Sequence, residues 1–509
     1  MARHYDIVVV GAGNGGLMAA TTAAKNGMKT LLIERHNVPG GSATSFVRGR
    51  FEFEVSLHEF ANIGSKENPG SYRAMFDENG IDVDWRIEDH VFRLVVPSEG
   101  IDANMPCGLV PFADEMERLV PGSKGPLMKM FGAVGQSMPA HGYVTSGQAE
   151  AEVIKEKYPD YWKMTCMTLQ EGLDFFGIPK KAQLIFTTYW SYQGIPASMA
   201  NFFNYTAMTM AYIIYGPAMP GDRSHGLSMA IEKAARDAGC EIWYDTEVEK
   251  IIVRDGKACG VIARGEEIEA EQVIANMNPN TVFGKMIDPE DAPERQVKMA
   301  NSRSLGLVLH TAYLGMNKTA EELGLDSYTY FMPPVSDSDK CYELGHELYN
   351  DYVILNCMNN ALPDFSPEGT SVLFLTGATF GDAWKDVKPE EYRKVKERIT
   401  KNMIEVSERV LGIEITPYIE EIEIAGAATF ARYLNTPMGT PYGYEVFNND
   451  GFITRNLSIA KDRAMPGLRI VGAGSEVQDG YGPTYLSGFR AAKFDIAEIN
   501  AKKQQTLVQ

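Results

Sequence analysis

"YDIVVVGAGNGGLMAATTAAKNGMKTLLIE", residues 5 to 34, is the stretch that decides the fold. Its opening, Tyr5 to Val10, is a nearly unbroken apolar run, as expected of a parallel strand covered on both faces. "GAGNGG" follows at once, then "LMAATTAAKNG", with the small-residue content of a helix packed tightly on a sheet, and "KTLLIE", a second strand. Gly11, Gly13 and Gly16 stand in G-x-G-x-x-G register. The first permits the tight turn, the second lets the backbone approach a pyrophosphate, and the third allows close helix–strand packing. Glu34 can accept from a ribose 2′-hydroxyl, and its charge would repel a 2′-phosphate. The expected ligand therefore carries adenosine with a free 2′-hydroxyl, as in FAD or NAD.

Two later pieces read as parts of the same domain. Residues 241 to 276 form a β-rich run in which Asp255-Gly256 and Arg264-Gly265 mark hairpin turns. Near the end, "GLRIVGAG" is another buried strand entering a glycine turn, and "SGFRAAKFDIAEIN" has a helical pattern. The expected fold class is α/β, with a Rossmann-like nucleotide-binding domain of parallel sheet plus β-meander, assembled from residues 1–85, 222–285 and 440–509. Residues 86–221 and 286–439 are left for an inserted α+β substrate domain.

Composition narrows the function. The chain has 509 residues, 44% hydrophobic and 23% charged, the balance of a globular protein of more than one domain. Its net charge of −19 argues against nucleic acid or an anionic lipid surface as a general partner. The six cysteines are widely spaced and lack metal or haem spacing, and the eight histidines form no H-E-x-x-H, so no metal is expected. No signal-peptide pattern opens the chain, and the expectation is a cytoplasmic protein.

Residues 182 to 221 contain no Asp, Glu, Lys, Arg or His but nine aromatic residues, among them Tyr189, Trp190, Tyr212 and Tyr215. Gly194, Pro196 and polar residues interrupt the run, so it is a poor membrane span. It reads either as the helical core of the second domain or as the wall of an apolar substrate channel.

Taken in order, "VVVGAGNGGLMAA", "LLIERHNVPGGSATSF", "FEFEVSLHEF", the meander block and "GLRIVGAGSEVQDGYGPTYLSGFRAAK" resemble the phytoene desaturase, carotene isomerase and retinol saturase group within the amine-oxidase-like FAD superfamily. The resemblance implies that Gly11, Gly13 and Gly16 hold the pyrophosphate of a non-covalent FAD and Glu34 its ribose, with Arg35 beside it. It places Gly40, Gly41 and Ser42 close to the pyrophosphate and flavin, and Val248 against the adenine. Gly472, Ala473, Gly474, Ser475, Gly480 and Gly482 would line the ribityl chain and ring.

The implied activity is oxidoreduction at a carbon–carbon double bond, by saturation, desaturation or isomerisation of a lipophilic or conjugated molecule. An amine or amino-acid oxidase and a flavin-free escort of prenylated proteins are the alternatives. No second nucleotide motif occurs, so electrons pass to or from the substrate, oxygen, a quinone or a separate carrier; no membrane span is expected, though peripheral contact stays open. Several features depart from a hydrocarbon enzyme: Ser56 stands where relatives often carry glycine, "MPGDRSHG" holds Arg223 and His225, and the late turn carries Glu476 and Asp479. Together they argue against a plain hydrocarbon, the acidic turn favours a substrate with a carbonyl or carboxyl group, and Glu476, His58, His225 and Tyr481, in that order, are the expected proton donors. Tyr189, Trp190, Tyr212, Tyr215 and Tyr485 are the expected substrate contacts.

Overall fold

The structure is a computed structural model and describes residues 3–146, 149–445, 447, 463–475 and 480–508. The strand Arg3–Val10 lies inside a seven-stranded sheet and pairs in parallel with both Thr30–Ile33 and Glu266–Ala275. With neighbours on either side and both faces covered, Ile7, Val8 and Val9 are wholly buried, which is why the run shows no alternation. Glu241–Trp243 extends the sheet in parallel beyond Thr30–Ile33, and Leu468–Ile470 pairs in parallel with the end of Glu266–Ala275. The antiparallel strands Val248–Arg254 and Lys257–Ala263 complete the expected meander. The α/β class read from the sequence is the one the chain adopts.

The helix Asn14–Lys25 buries every residue from Gly15 to Ala24. Its small residues let backbones touch. A Cβ at Gly16 would lie 1.8 Å from the carbonyl oxygen of Gly11, and one at Gly488, on the C-terminal helix Tyr481–Val508, would lie 1.9 Å from that of Gly15. The two helices therefore cross with almost no side-chain spacer.

A second seven-stranded sheet runs in the order Ile419–Ala425, Val308–Met316, Ser371–Thr379, Val353–Cys357, Thr329–Met332, His90–Val96 and Ile101–Pro106. All its pairings are antiparallel except that between Thr329–Met332 and His90–Val96. Helices that include Lys124–Thr145 and Phe202–Tyr215 pack with it around a large aromatic and aliphatic cluster. The uncharged stretch 182 to 221 is broken into short helices, the helix Phe202–Tyr215 and the strand Ala218–Pro220. Among the described residues no helix is long and apolar enough to cross a membrane.

Candidate active site

One continuous cavity of about 650 Å³ runs from the ends of the parallel strands into the space between the two sheets and their helices. It begins where ligands bind in open α/β sheets, at the carboxyl ends of the strands. Gly11, at φ +90°, turns the chain out of its strand, and its N–H donates to the Ile33 carbonyl at 2.8 Å. Glu34 ties the loop together: Oε2 accepts from Ala12 N at 2.6 Å and Oε1 from His36 N at 2.8 Å. Gly11, Gly13, Glu34, Arg35 and Val248 all line this end. Arg35 is also anchored, donating to the Arg432 and Tyr433 carbonyls. Gly16 does not line the cavity; it serves the close packing on Gly11.

Further along, Gly40, Gly41 and Ser42 form one wall and Gly472, Ala473, Gly474, Gly480 and Gly482 the other. The Gly40 segment pairs in parallel with Gly13, and Gly40 N donates to the Ala12 carbonyl at 2.8 Å. Ser475 is buried, its N–H bonded to the Gly472 carbonyl, and lies behind the wall. Asn276, which sequence reasoning missed, follows the strand Glu266–Ala275 and faces two glycine turns. A Cβ at Gly13 would stand 2.6 Å from its Nδ2, and one at Gly472 2.3 Å from its Oδ1.

These residues fit the dinucleotide. Glycines leave bare backbone where a phosphate must approach, Glu34 supplies the ribose acceptor, and the buried Asn14 Oδ1 lines the cavity without a partner. FAD when bound would be held by Gly11, Gly13, Glu34, Val248 and the Gly40 and Gly472 walls.

Beyond that cradle the cavity meets the short segment after the strand Phe51–Glu54. Ser56 and Tyr481 hydroxyls stand 2.8 Å apart, and Tyr481 donates to the Ser42 carbonyl at 3.1 Å. Burial pushes the Tyr481 phenol well above its ordinary range, so it stays protonated. His58 faces the cavity with Nε2 2.9 Å from Thr376 Oγ1 and the Phe374 ring edge-on at 5.0 Å. Burial holds its imidazole down to about 3, so it is neutral at physiological pH.

The next residue is the unexpected one. Glu59 also lines the cavity yet is only 6% exposed. Its Oε1 accepts from Tyr189 at 2.9 Å and Tyr192 at 3.1 Å, and its Oε2 from Thr329 at 2.9 Å. Burial pushes the carboxyl up to about 7 in spite of these three donors. The signal was present in "SLHEF", an acidic residue inside an apolar run, but no motif assigned it.

Of the expected proton donors, the structure brings His58 and Tyr481 to the cavity. His225 lies outside its lining, on the helix Arg223–Asp237, with Nδ1 3.3 Å from Thr44 Oγ1. Glu476 and Asp479 lie outside the described residues. Of the expected substrate contacts only Tyr212 lines the cavity. Tyr189 is fully buried with its hydroxyl spent on Glu59 and the Val91 carbonyl, and Trp190 packs edge-on to Tyr352. Tyr485 is wedged against Phe60 and Phe76, and Tyr215 sits over Gly64. Composition marks an aromatic stretch but not its faces. The helix Phe202–Tyr215 instead turns Asn204, Ala207, Met208 and Ala211 inward, together with Tyr192 from the preceding turn.

Residues 6–79 match the family model for FAD dependent oxidoreductases. The chain is 25% identical over 459 residues to a chloroplastic prolycopene isomerase of Daucus carota, covering 87% of this chain and 72% of that one. It is 23% identical over 482 residues to an all-trans-retinol 13,14-reductase of Danio rerio, covering 87% and 78%. Among solved structures, putrescine oxidase bound to putrescine shares the fold with a TM-score of 0.63 at 16% identity, over 97% of this chain and 99% of that one.

The glycine cradle with Glu34 and the family match over residues 6–79 mark an FAD-dependent oxidoreductase, and the fold is the one that putrescine oxidase has. Within that class, the resemblance to the carotene isomerase and retinol saturase group extends over most of the chain.

Proposed function

We propose that the protein carries out a flavin-dependent reaction at a carbon–carbon double bond of a lipophilic, conjugated substrate, reducing, oxidising or isomerising it. The observation that carries this reading is the continuity of the cradle with an apolar limb walled by Leu57, Met208, Ala211 and Tyr212. FAD, when bound, supplies hydride uptake or release at N5. The chain excludes water and governs the proton. Tyr192 faces the cavity, its hydroxyl 3.1 Å from Glu59 Oε1. It gives a proton to the substrate carbon, and Glu59, protonated up to about pH 7, restores it. Glu476 is a second candidate donor. His58, held neutral, orients the substrate through its ring face.

A non-covalent FAD is in keeping with a cavity that, among the described residues, no cysteine lines. Electrons come from or go to the substrate, a quinone or a separate carrier. Met138, 45% exposed at the rim, supports uptake of substrate from an apolar phase by peripheral membrane contact. The free thiols of Cys107, Cys240, Cys259, Cys341 and Cys357 fit a reducing compartment such as the cytoplasm.

Replacing Glu34 by Ala tests the cofactor assignment. The variant should lose FAD affinity by about 1.5–3 kcal/mol, the worth of a charge-assisted hydrogen bond. Unchanged retention of yellow colour on dilution and dialysis would remove the assignment.

A further inference from the structure

The limb between the helices Lys124–Thr145 and Phe202–Tyr215 is lined by one face of each. Met138, His141, Gly142 and Thr145 face Asn204, Ala207, Met208 and Ala211, both sets spaced i, i+3, i+4, i+7. Neither face carries a carboxylate. Into this limb projects Arg490, from the C-terminal helix Tyr481–Val508.

Arg490 has no acidic partner among the described residues; the group that acts on its charge is the phenol of Tyr72, and burial opposes that charge. A guanidinium does not discard its proton, so the cation persists. His141 opposite is no counter-ion: burial, reinforced by Arg490, pushes its imidazole down to about 4. An unpaired, partly desolvated guanidinium is costly unless a ligand pairs with it. The cavity's own acids lie elsewhere, Glu34 and Glu247 beside Val248 at the nucleotide end and Glu59 among its three hydroxyl donors.

We infer that Arg490 binds the carboxylate of the substrate, and that the substrate class is a conjugated, lipophilic carboxylic acid rather than a hydrocarbon, an alcohol or an amine. A planar two-donor fork matches a carboxylate geometrically, and a protonated amine is repelled by the same group. At 1.5 Å per residue, Arg490 stands about 13 Å along the helix axis from Tyr481. The acid group is thus held at Arg490, with the apolar chain lying between the two helix faces.

This inference rests on the proposed lipophilic cavity, and the test separates the two. Parinaric acid, a naturally fluorescent conjugated fatty acid, and its methyl ester are titrated against the FAD-loaded protein and against Arg490→Met and Arg490→Lys. Fluorescence reads binding independently of turnover, and absorbance checks that FAD remains bound. The parent should prefer the acid over the ester. Arg490→Met should weaken the acid by about 10- to 100-fold, as for one hydrogen-bonded ion pair, and leave the ester unchanged. Arg490→Lys should restore part of the preference. Equal binding of acid and ester by the parent, or a preference that survives in Arg490→Met, overturns the role of Arg490 while leaving the lipophilic cavity standing. Failure of both probes to bind overturns the cavity reading and this inference with it.

Discussion

At the scale of the residue, adjacent side chains are sorted by burial into opposite roles. His58 and Glu59 both face the cavity, but desolvation holds the imidazole down to about 3 and lifts the carboxyl to about 7. The imidazole is thereby neutral at physiological pH, while the carboxyl holds its proton up to about pH 7 and can resupply the Tyr192 hydroxyl. Glu59→Gln keeps the shape and removes that proton. Steady-state turnover on the true substrate should fall roughly 10²- to 10⁴-fold, the usual share of a general acid, with FAD content unchanged. In the parent, kcat in the reductive direction should decline as pH rises through about 7, because the protonated carboxyl is the active form. A flat profile, or near-parent turnover by the variant, would exclude Glu59 as the proton source and leave Glu476 as the candidate. The sequence made His58 legible through its similarity to a known segment. It left Glu59 and Arg490 silent, because the value of a buried charge depends on what surrounds it after folding.

Among the elements, the most demanding junction is that of the helices Asn14–Lys25 and Tyr481–Val508. Their contact puts Gly488 against Gly15, and Gly15 in turn against Gly472 N, where a Cβ would stand 2.8 Å away. Three segments remote in sequence are thus held backbone to backbone around the nucleotide end of the cavity. Gly488→Ala should cost about 1–3 kcal/mol in denaturant unfolding, as overpacking does, and should loosen FAD because the Gly472 wall is displaced. Parent-like stability and FAD retention would mean that this crossing is not tight. The elements were the most legible level. An apolar run, glycines at fixed spacing and Asp-Gly and Arg-Gly turns each encode local geometry, and the parallel strands and the meander form where those signals lie. Faces were harder: stretch 182 to 221 announced its aromatic content, but which residues turn inward is set by helix phase against partners far away in sequence, and Tyr189 and Trp190 turn into the core.

Across the whole molecule, the parallel sheet supplies the cradle and the second sheet with its helices supplies the apolar limb, and the cavity joins them. Polar groups are segregated along it: Glu34 at one end, Glu59 buried with its tyrosines, Arg490 in the helix-lined limb. Such a division suits a long molecule read at its charged end and altered at a distant double bond. The most direct measurement is an anaerobic one. The purified yellow protein is reduced with dithionite, mixed with conjugated polyene acids and enones, and followed by flavin absorbance and by chromatography of the extracted organic phase. The account predicts that at least one conjugated acid restores the oxidised flavin spectrum while losing a double bond, or changes its isomer composition only when the reduced protein is present. It would be contradicted if no conjugated compound did either, while simple amines bleached the oxidised protein and released peroxide on admission of oxygen.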